Sequence, residues 1–160
     1  MRKLSCLVFA IVLLVALAGC KKSNVPTDGA SGSSSGPTKE AAVQTLRSFL
    51  AAVEAKEYPK AAAMIQISLE VSPAEIERSL GRMLDNNELS ARGIDILAER
   101  GKWGKLAEVY GADRASRLIA RAGVPVDDCY GLNLENAEAG FYWNGQQFKL
   151  VRVDDIGKLR

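Results

Sequence analysis

The chain has no histidine among its 160 residues, three cysteines and only 6% aromatic residues. Without imidazole there is no Ser-His-Asp or Cys-His nucleophile arrangement, and the commonest zinc sites are excluded. No Walker loop is present and no GxGxxG follows a strand pattern, so no nucleotide cofactor is indicated. Carboxylate catalysis needs only two acids. The adjacent pairs Asp127-Asp128 and Asp154-Asp155 read instead as solvated turn formers. No catalytic residue, metal or cofactor is assigned, and the chain is expected not to be an enzyme.

An apolar run long enough to span a bilayer is also missing. The run from Leu4 to Ala18 falls short of the about 20 residues that cross the hydrocarbon core. Preceded by Arg2 and Lys3 and followed by small residues, it has the form of a secretory signal peptide over residues 1–19. Its end, Leu17-Ala18-Gly19-Cys20, resembles the lipobox of bacterial lipoproteins. The resemblance implies cleavage before Cys20 and lipidation of that residue, with a thioether-linked diacylglycerol and an acyl group on its amine. Each buried methylene contributes about 0.8 kcal/mol, so two or three chains anchor durably. Lys21 and Lys22 either add attraction to anionic headgroups or simply begin a polar tether. An aspartate after the cysteine often retains lipoproteins of Gram-negative bacteria at the inner membrane. Here Lys21 leans the expectation towards the periplasmic face of the outer membrane, within a bacterial cell envelope.

Processing alters charge and thiol content. Loss of Arg2 and Lys3 lowers Lys plus Arg from 21 to 19, equal to the 19 acidic residues. The formal +2 therefore belongs to the leader, and no nucleic-acid surface is expected. Cys6 leaves with the leader and Cys20 is spent on lipid. Cys129 alone remains, so no intrachain disulfide or CxxC pair is available; it is expected to be a small buried residue.

Residues 21–37 are rich in Gly and Ser and cannot bury enough apolar surface to offset the entropy of ordering. They are expected to form a flexible tether with a root-mean-square reach of about 20–25 Å. Residues 38–160 suit one domain with a single core. The expected class is α+β, with a mostly helical first two-thirds packed on a small C-terminal antiparallel hairpin.

Thr38 is read as the N-cap of a first helix, with Val43, Leu46, Leu50 and Val53 on one face and an end near Glu57. A short helix through Ala61–Ile65 follows. Ser72-Pro73-Ala74-Glu75 spells a capping box with proline at the first helical position. Further helices are predicted over Ser90–Arg100, Trp103–Tyr110 and Asp113–Ala122, closed by Gly101, Gly111 and Gly123. Ala137–Trp143 and Gln146–Val153 then read as strands joined by Asn144-Gly145. That two-residue turn sets Phe141 opposite Phe148 and Ala139 opposite Leu150, with Glu138, Tyr142, Gln147 and Lys149 pointing away. A third strand is expected near Cys129–Leu134.

Three features are candidate contact sites. Arg114, Arg117 and Arg121 form a cationic stripe, either for phosphate headgroups or an acidic partner, or merely a solvated face opposite Leu118 and Ile119. Tyr142 and Trp143 with Tyr130 form either an aromatic platform for a peptide or glycan, or a partly buried set with Trp143 in the core. The hairpin edge could recruit a partner strand, although Lys149 and Arg152 look like protection against edge pairing.

The stretch Val43–Ala62, VQTLRSFLAAVEAKEYPKAA, resembles the opening of NTF2-like lipoprotein domains, and the WNGQQFKL of Trp143–Leu150 is similar to their closing strand pair. The resemblance implies a cone-shaped cavity for a small ligand or a dimer interface, a sheet of four or more strands, and no catalytic residue. The interval 73–122 departs from it, reading as helix where such cones carry sheet. The leading expectation is a lipid-anchored, non-catalytic binding or structural domain that meets another envelope component. The alternative is an NTF2-like small-ligand binder.

Overall fold

A computed structural model describes residues 36–68 and 71–160. The leader, Cys20 and all of the tether but its last two residues lie outside the described residues. Within them the fold is α+β, with helices first and a four-stranded antiparallel sheet at the C-terminal end.

Thr38 caps α1 (Lys39–Glu54), its hydroxyl accepting from the Ala41 amide at 3.2 Å. The apolar stripe of Val43, Leu46, Leu50 and Val53, widened by Phe49, is buried. The helix stops three residues before Glu57, and Lys56 turns the chain with a φ of 58°. Pro59 lies in the first turn of α2 (Tyr58–Ala63), where its missing N–H costs nothing. The capping box at Ser72 is complete before α3 (Pro73–Asp85): Ser72 Oγ accepts from the Glu75 amide, and Glu75 accepts from the Ser72 amide. The Ser72 hydroxyl, donating to Glu75 Oε2 at 2.7 Å, and then the Ser72 amide hold the Glu75 carboxyl below its ordinary pKa. Ser90 caps α4 (Ala91–Arg100) in the same way, accepting from the Gly93 amide at 3.1 Å.

The helix expected over Trp103–Tyr110 is corrected. Lys102–Lys105 forms β1, and only Leu106–Tyr110 is helical, as α5. Trp103 lies opposite Leu132 and stacks on Tyr130, with ring centroids 5.4 Å apart. These partners come from a strand almost thirty residues away, so the pairing overrides the local period. Gly101 is accordingly not a left-handed cap: its φ is −69°, and a Cβ there would sit 2.4 Å from the Leu97 carbonyl oxygen. Close approach, not positive φ, explains this glycine. Gly111 does adopt a φ of 82° ahead of α6 (Ala112–Ile119). That helix ends three residues earlier than expected, leaving Arg121 in the turn beyond it.

The sheet runs β1-β2-β3-β4, with β2 Cys129–Leu134, β3 Ala137–Trp143 and β4 Phe148–Asp154. The hairpin register differs from the two-residue prediction: Trp143 pairs with Phe148 and Phe141 with Leu150. Asn144 Oδ1 accepts from the amides of both Gln146 and Gln147, at 3.0 and 2.9 Å, which holds a four-residue loop closed. Between Phe141 and Trp143 the shift is two residues, so those side chains keep their faces; at Ala139, which pairs with Val153 rather than Leu150, it is three.

One face carries Leu132, Ala139, Phe141, Phe148 and Leu150 and packs with α1 and α4 in the main core. The opposite face, to which Glu138 and Tyr142 point, is covered by α5 and α6 over a second core containing Leu106, Ala115, Ile119 and Cys129. A row of glycines makes this approach feasible: Gly104, Gly131 and Gly140 lie side by side across three strands. A Cβ at Gly131 would be 2.6 Å from the Tyr110 ring.

Candidate functional site: an arginine hollow beside an apolar cleft

The site begins with an irregularity in β4. Gly140 pairs with Arg152 while the next residue, Phe141, pairs with Leu150, leaving Val151 as an extra residue. Such a bulge lets two consecutive side chains lie on one face. A Cβ on Gly140 would meet Val151 Cγ2 at 2.9 Å and Arg152 Cβ at 3.2 Å, so glycine leaves room for both. Arg152 is thereby turned beside Glu138, two residues before Gly140 on β3.

Glu138 is 3% exposed, the one buried charged residue among those described. Its carboxylate accepts from Arg114 Nη2 of α6 at 2.8 Å and from Arg152 Nε at 3.1 Å. Arg152 also pairs with Asp154. Arg114 lies over the Tyr110 ring, 5.4 Å from its centroid. Tyr110 donates to the Leu132 carbonyl at 3.2 Å. Burial, reinforced by the Glu138 charge, raises its pKa well beyond the ordinary phenol range, so it remains a neutral donor.

Arg114, Arg117, Arg121 and Arg152 surround an open hollow of about 720 Å³ that has Glu138 in its wall. Arg117 and Arg121 are exposed and make no ion pair among the described residues. The Arg121 backbone is fixed, because its carbonyl accepts from both the amide and the hydroxyl of Ser68. Of the four guanidiniums, those of Arg114 and Arg152 meet the carboxylates of Glu138 and Asp154, leaving the charges of Arg117 and Arg121 unpaired among the described residues. Planar guanidinium forks suit carboxylate and phosphate oxygens.

A cleft of about 370 Å³ continues from the hollow, sharing Leu118, Arg121 and Arg152 with it. Its walls include Ile65, Ile67, Ile76, Leu80 and Val151. Ile67 is 41% exposed and stands out among the described residues as a large apolar side chain in water. The cleft volume lies within the range of about 300–1,000 Å³ that small-ligand sites occupy.

The structure thus gathers Arg114, Arg117 and Arg121 at one place, though Arg114 is engaged by Glu138. Tyr142 and Trp143 are not gathered. They point to opposite faces of β3, as consecutive strand residues must. Trp143 packs edge-on against Phe148 at 5.0 Å, and Tyr142 joins the α5–α6 side. Tyr130 stacks beneath Trp103, so the aromatic platform does not form. The edge of β4 is partly taken by the chain itself, since Ile65 bridges to Leu150 and Lys149 donates to the Ala63 carbonyl. Cys129 is fully buried and donates to the Pro125 carbonyl at 3.3 Å; burial, with the Asp128 charge, pushes its pKa up to about 11. Neither acidic pair converges: Asp154 and Asp155 answer Arg152 and Lys158, and Asp127 and Asp128 are exposed. Among the described residues no cluster of three or more acids or thiols could hold a metal, and no helix is long and apolar enough to cross a membrane.

Glu138 and Arg152 are the site residues that sequence reasoning did not assign. The signal was the spacing Glu138-x-Gly140 on one strand face, but only a bulge invisible in the sequence turns Arg152 towards them. Comparison of the chain with protein-family models, curated proteins and solved structures gives no match.

Proposed function

We propose that the chain is a lipid-anchored protein of the bacterial cell envelope whose domain is a non-catalytic binding module, with the arginine hollow as its contact for an anionic envelope component. The observation that carries this reading is the pair Arg117 and Arg121, exposed and without carboxylate partners among the described residues, with the Arg121 backbone held by Ser68. Arg114 and Arg152, although exposed, are anchored by Glu138 and set the walls. The outer pair is left to meet a ligand. The Cys20 lipid would hold the domain at a bilayer, with the tether giving it reach without fixing its orientation.

The small-ligand alternative is favoured by one observation, the apolar cleft. An NTF2-like cavity would lie behind α1, and there Leu46, Phe49, Phe141 and Leu150 occupy the space as core. A small ligand is therefore assigned to the cleft beside α6.

Two measurements test the proposal. Mass spectrometry of the protein from its native membranes should find an N-terminal Cys20 bearing diacylglycerol; a bare thiol or an intact leader overturns the anchoring. Titration of the full chain with inorganic phosphate should show binding that Arg117→Glu and Arg121→Glu each weaken about tenfold, the value of one charge-assisted contact. Unchanged binding in both variants removes the hollow from the function.

A further inference from the structure

Resting on that reading, we infer that the ligand is a single-chain lipid phosphate monoester, its headgroup in the arginine hollow and its tail in the adjoining cleft. Charge and shape point the same way. After Glu138 and Asp154 are matched, two of the four guanidinium charges remain. A phosphate monoester carries close to two negative charges at neutral pH, whereas a carboxylate carries one and a phosphodiester one. The hollow and the cleft adjoin, with Leu118, Arg121 and Arg152 on both linings, so a ligand anchored by its phosphate has an apolar surface immediately beside it.

The cleft walls fit a flexible alkyl chain. Ile65, Ile67, Ile76, Leu80, Leu118 and Val151 are aliphatic, with no ring for stacking a base or sugar. Ile67, at 41% exposure, loses its contact with water when a tail is seated. An acidic peptide would satisfy the arginines, but beyond them the walls offer its polar backbone only Gln66 and Ser79 as side-chain partners, against a mainly aliphatic lining. The membrane to which the chain is proposed to be moored is itself a source of single-chain phosphate lipids.

The test uses the full chain reconstituted in phosphatidylcholine vesicles and calorimetric titration corrected against empty vesicles. The probes are inorganic phosphate, butyl phosphate, hexyl phosphate and octyl phosphate. Affinity should rise severalfold with each pair of methylenes, as burial of apolar surface requires. Hexanoate and hexyltrimethylammonium should bind at least tenfold more weakly than hexyl phosphate. Arg121→Glu should weaken every phosphate, inorganic phosphate included. Ile67→Ser, a neutral polar change at an exposed position outside the hollow, should abolish the tail-length gain while leaving inorganic phosphate unchanged.

Affinity independent of tail length, a gain that survives Ile67→Ser, or equal binding of the ammonium compound overturns the lipid assignment. An acidic peptide binding more tightly than octyl phosphate overturns it in favour of a protein partner. Arg121-dependent binding of inorganic phosphate alone leaves the hollow as an anion site and rejects only the tail. Loss of that binding too rejects the proposed function along with the inference.

Discussion

Glu138 shows how one residue can organise a surface. Its carboxylate is buried but its two arginine partners are 56% and 43% exposed at their side chains, so water still reaches the cations. Glu138→Ala should therefore cost about 1–2 kcal/mol, less than the about 3–5 kcal/mol of breaking a wholly buried pair. Arg114→Ala should cost less again, because Arg152 continues to pair with the carboxylate. Urea denaturation of the two variants checks the order, and the reverse order would show that Arg114 is held by its contact with Tyr110. Cys129 carries a pH signature. Its folded pKa of about 11 lies above the ordinary 9.0, so the unfolded chain releases its thiol proton first. Stability should decline as pH rises across that window, and the Cys129→Ala variant should lose that part of the decline. Equal pH slopes in urea melts of the two proteins would contradict it.

At the scale of elements, caps and glycines explain most boundaries. Thr38, Ser72 and Ser90 each start a helix through a side-chain oxygen that accepts a backbone N–H, a local interaction that short sequence windows reveal. Gly131 belongs to another class. It is needed because Tyr110 comes from another element to lie on it. Gly131→Ala should destabilise by about 1–3 kcal/mol through overpacking and disturb Arg114, which rests on the same ring. Thermal unfolding checks the loss, and an unchanged midpoint would mean that the α5 helix yields without cost. β1 was misread as helix for the same kind of reason: Trp103 and Gly104 find their partners in β2, beyond any local window.

For the whole molecule, the question is how two cores share one sheet. The main core under α1 and α4 was legible from apolar stripes at helical spacing and from alternation in β3 and β4. The second core was not. Nothing in the period of α6 says that Leu118 and Ile119 cover the back of the hairpin, the face to which Glu138 points. Once α5 and α6 fold over the glycine row, that face becomes an interior with one charge in it. The arginines of α6, read from sequence as a stripe, become one wall of a hollow whose other wall is β4.

The sequence by itself determined the α+β class, the capped starts of α1, α3 and α4, the strands of the hairpin, the faces of their side chains up to the bulge, and the cationic stripe. These depend on chemistry within a few residues, where spacing alone specifies geometry. Tertiary structure alone decided the strand character of Lys102–Lys105, the Val151 bulge, the burial of Glu138 and the union of Arg152 with the α6 arginines. Each of these depends on energies between segments distant in the chain, which outweigh local preference only when the packing partners are in place.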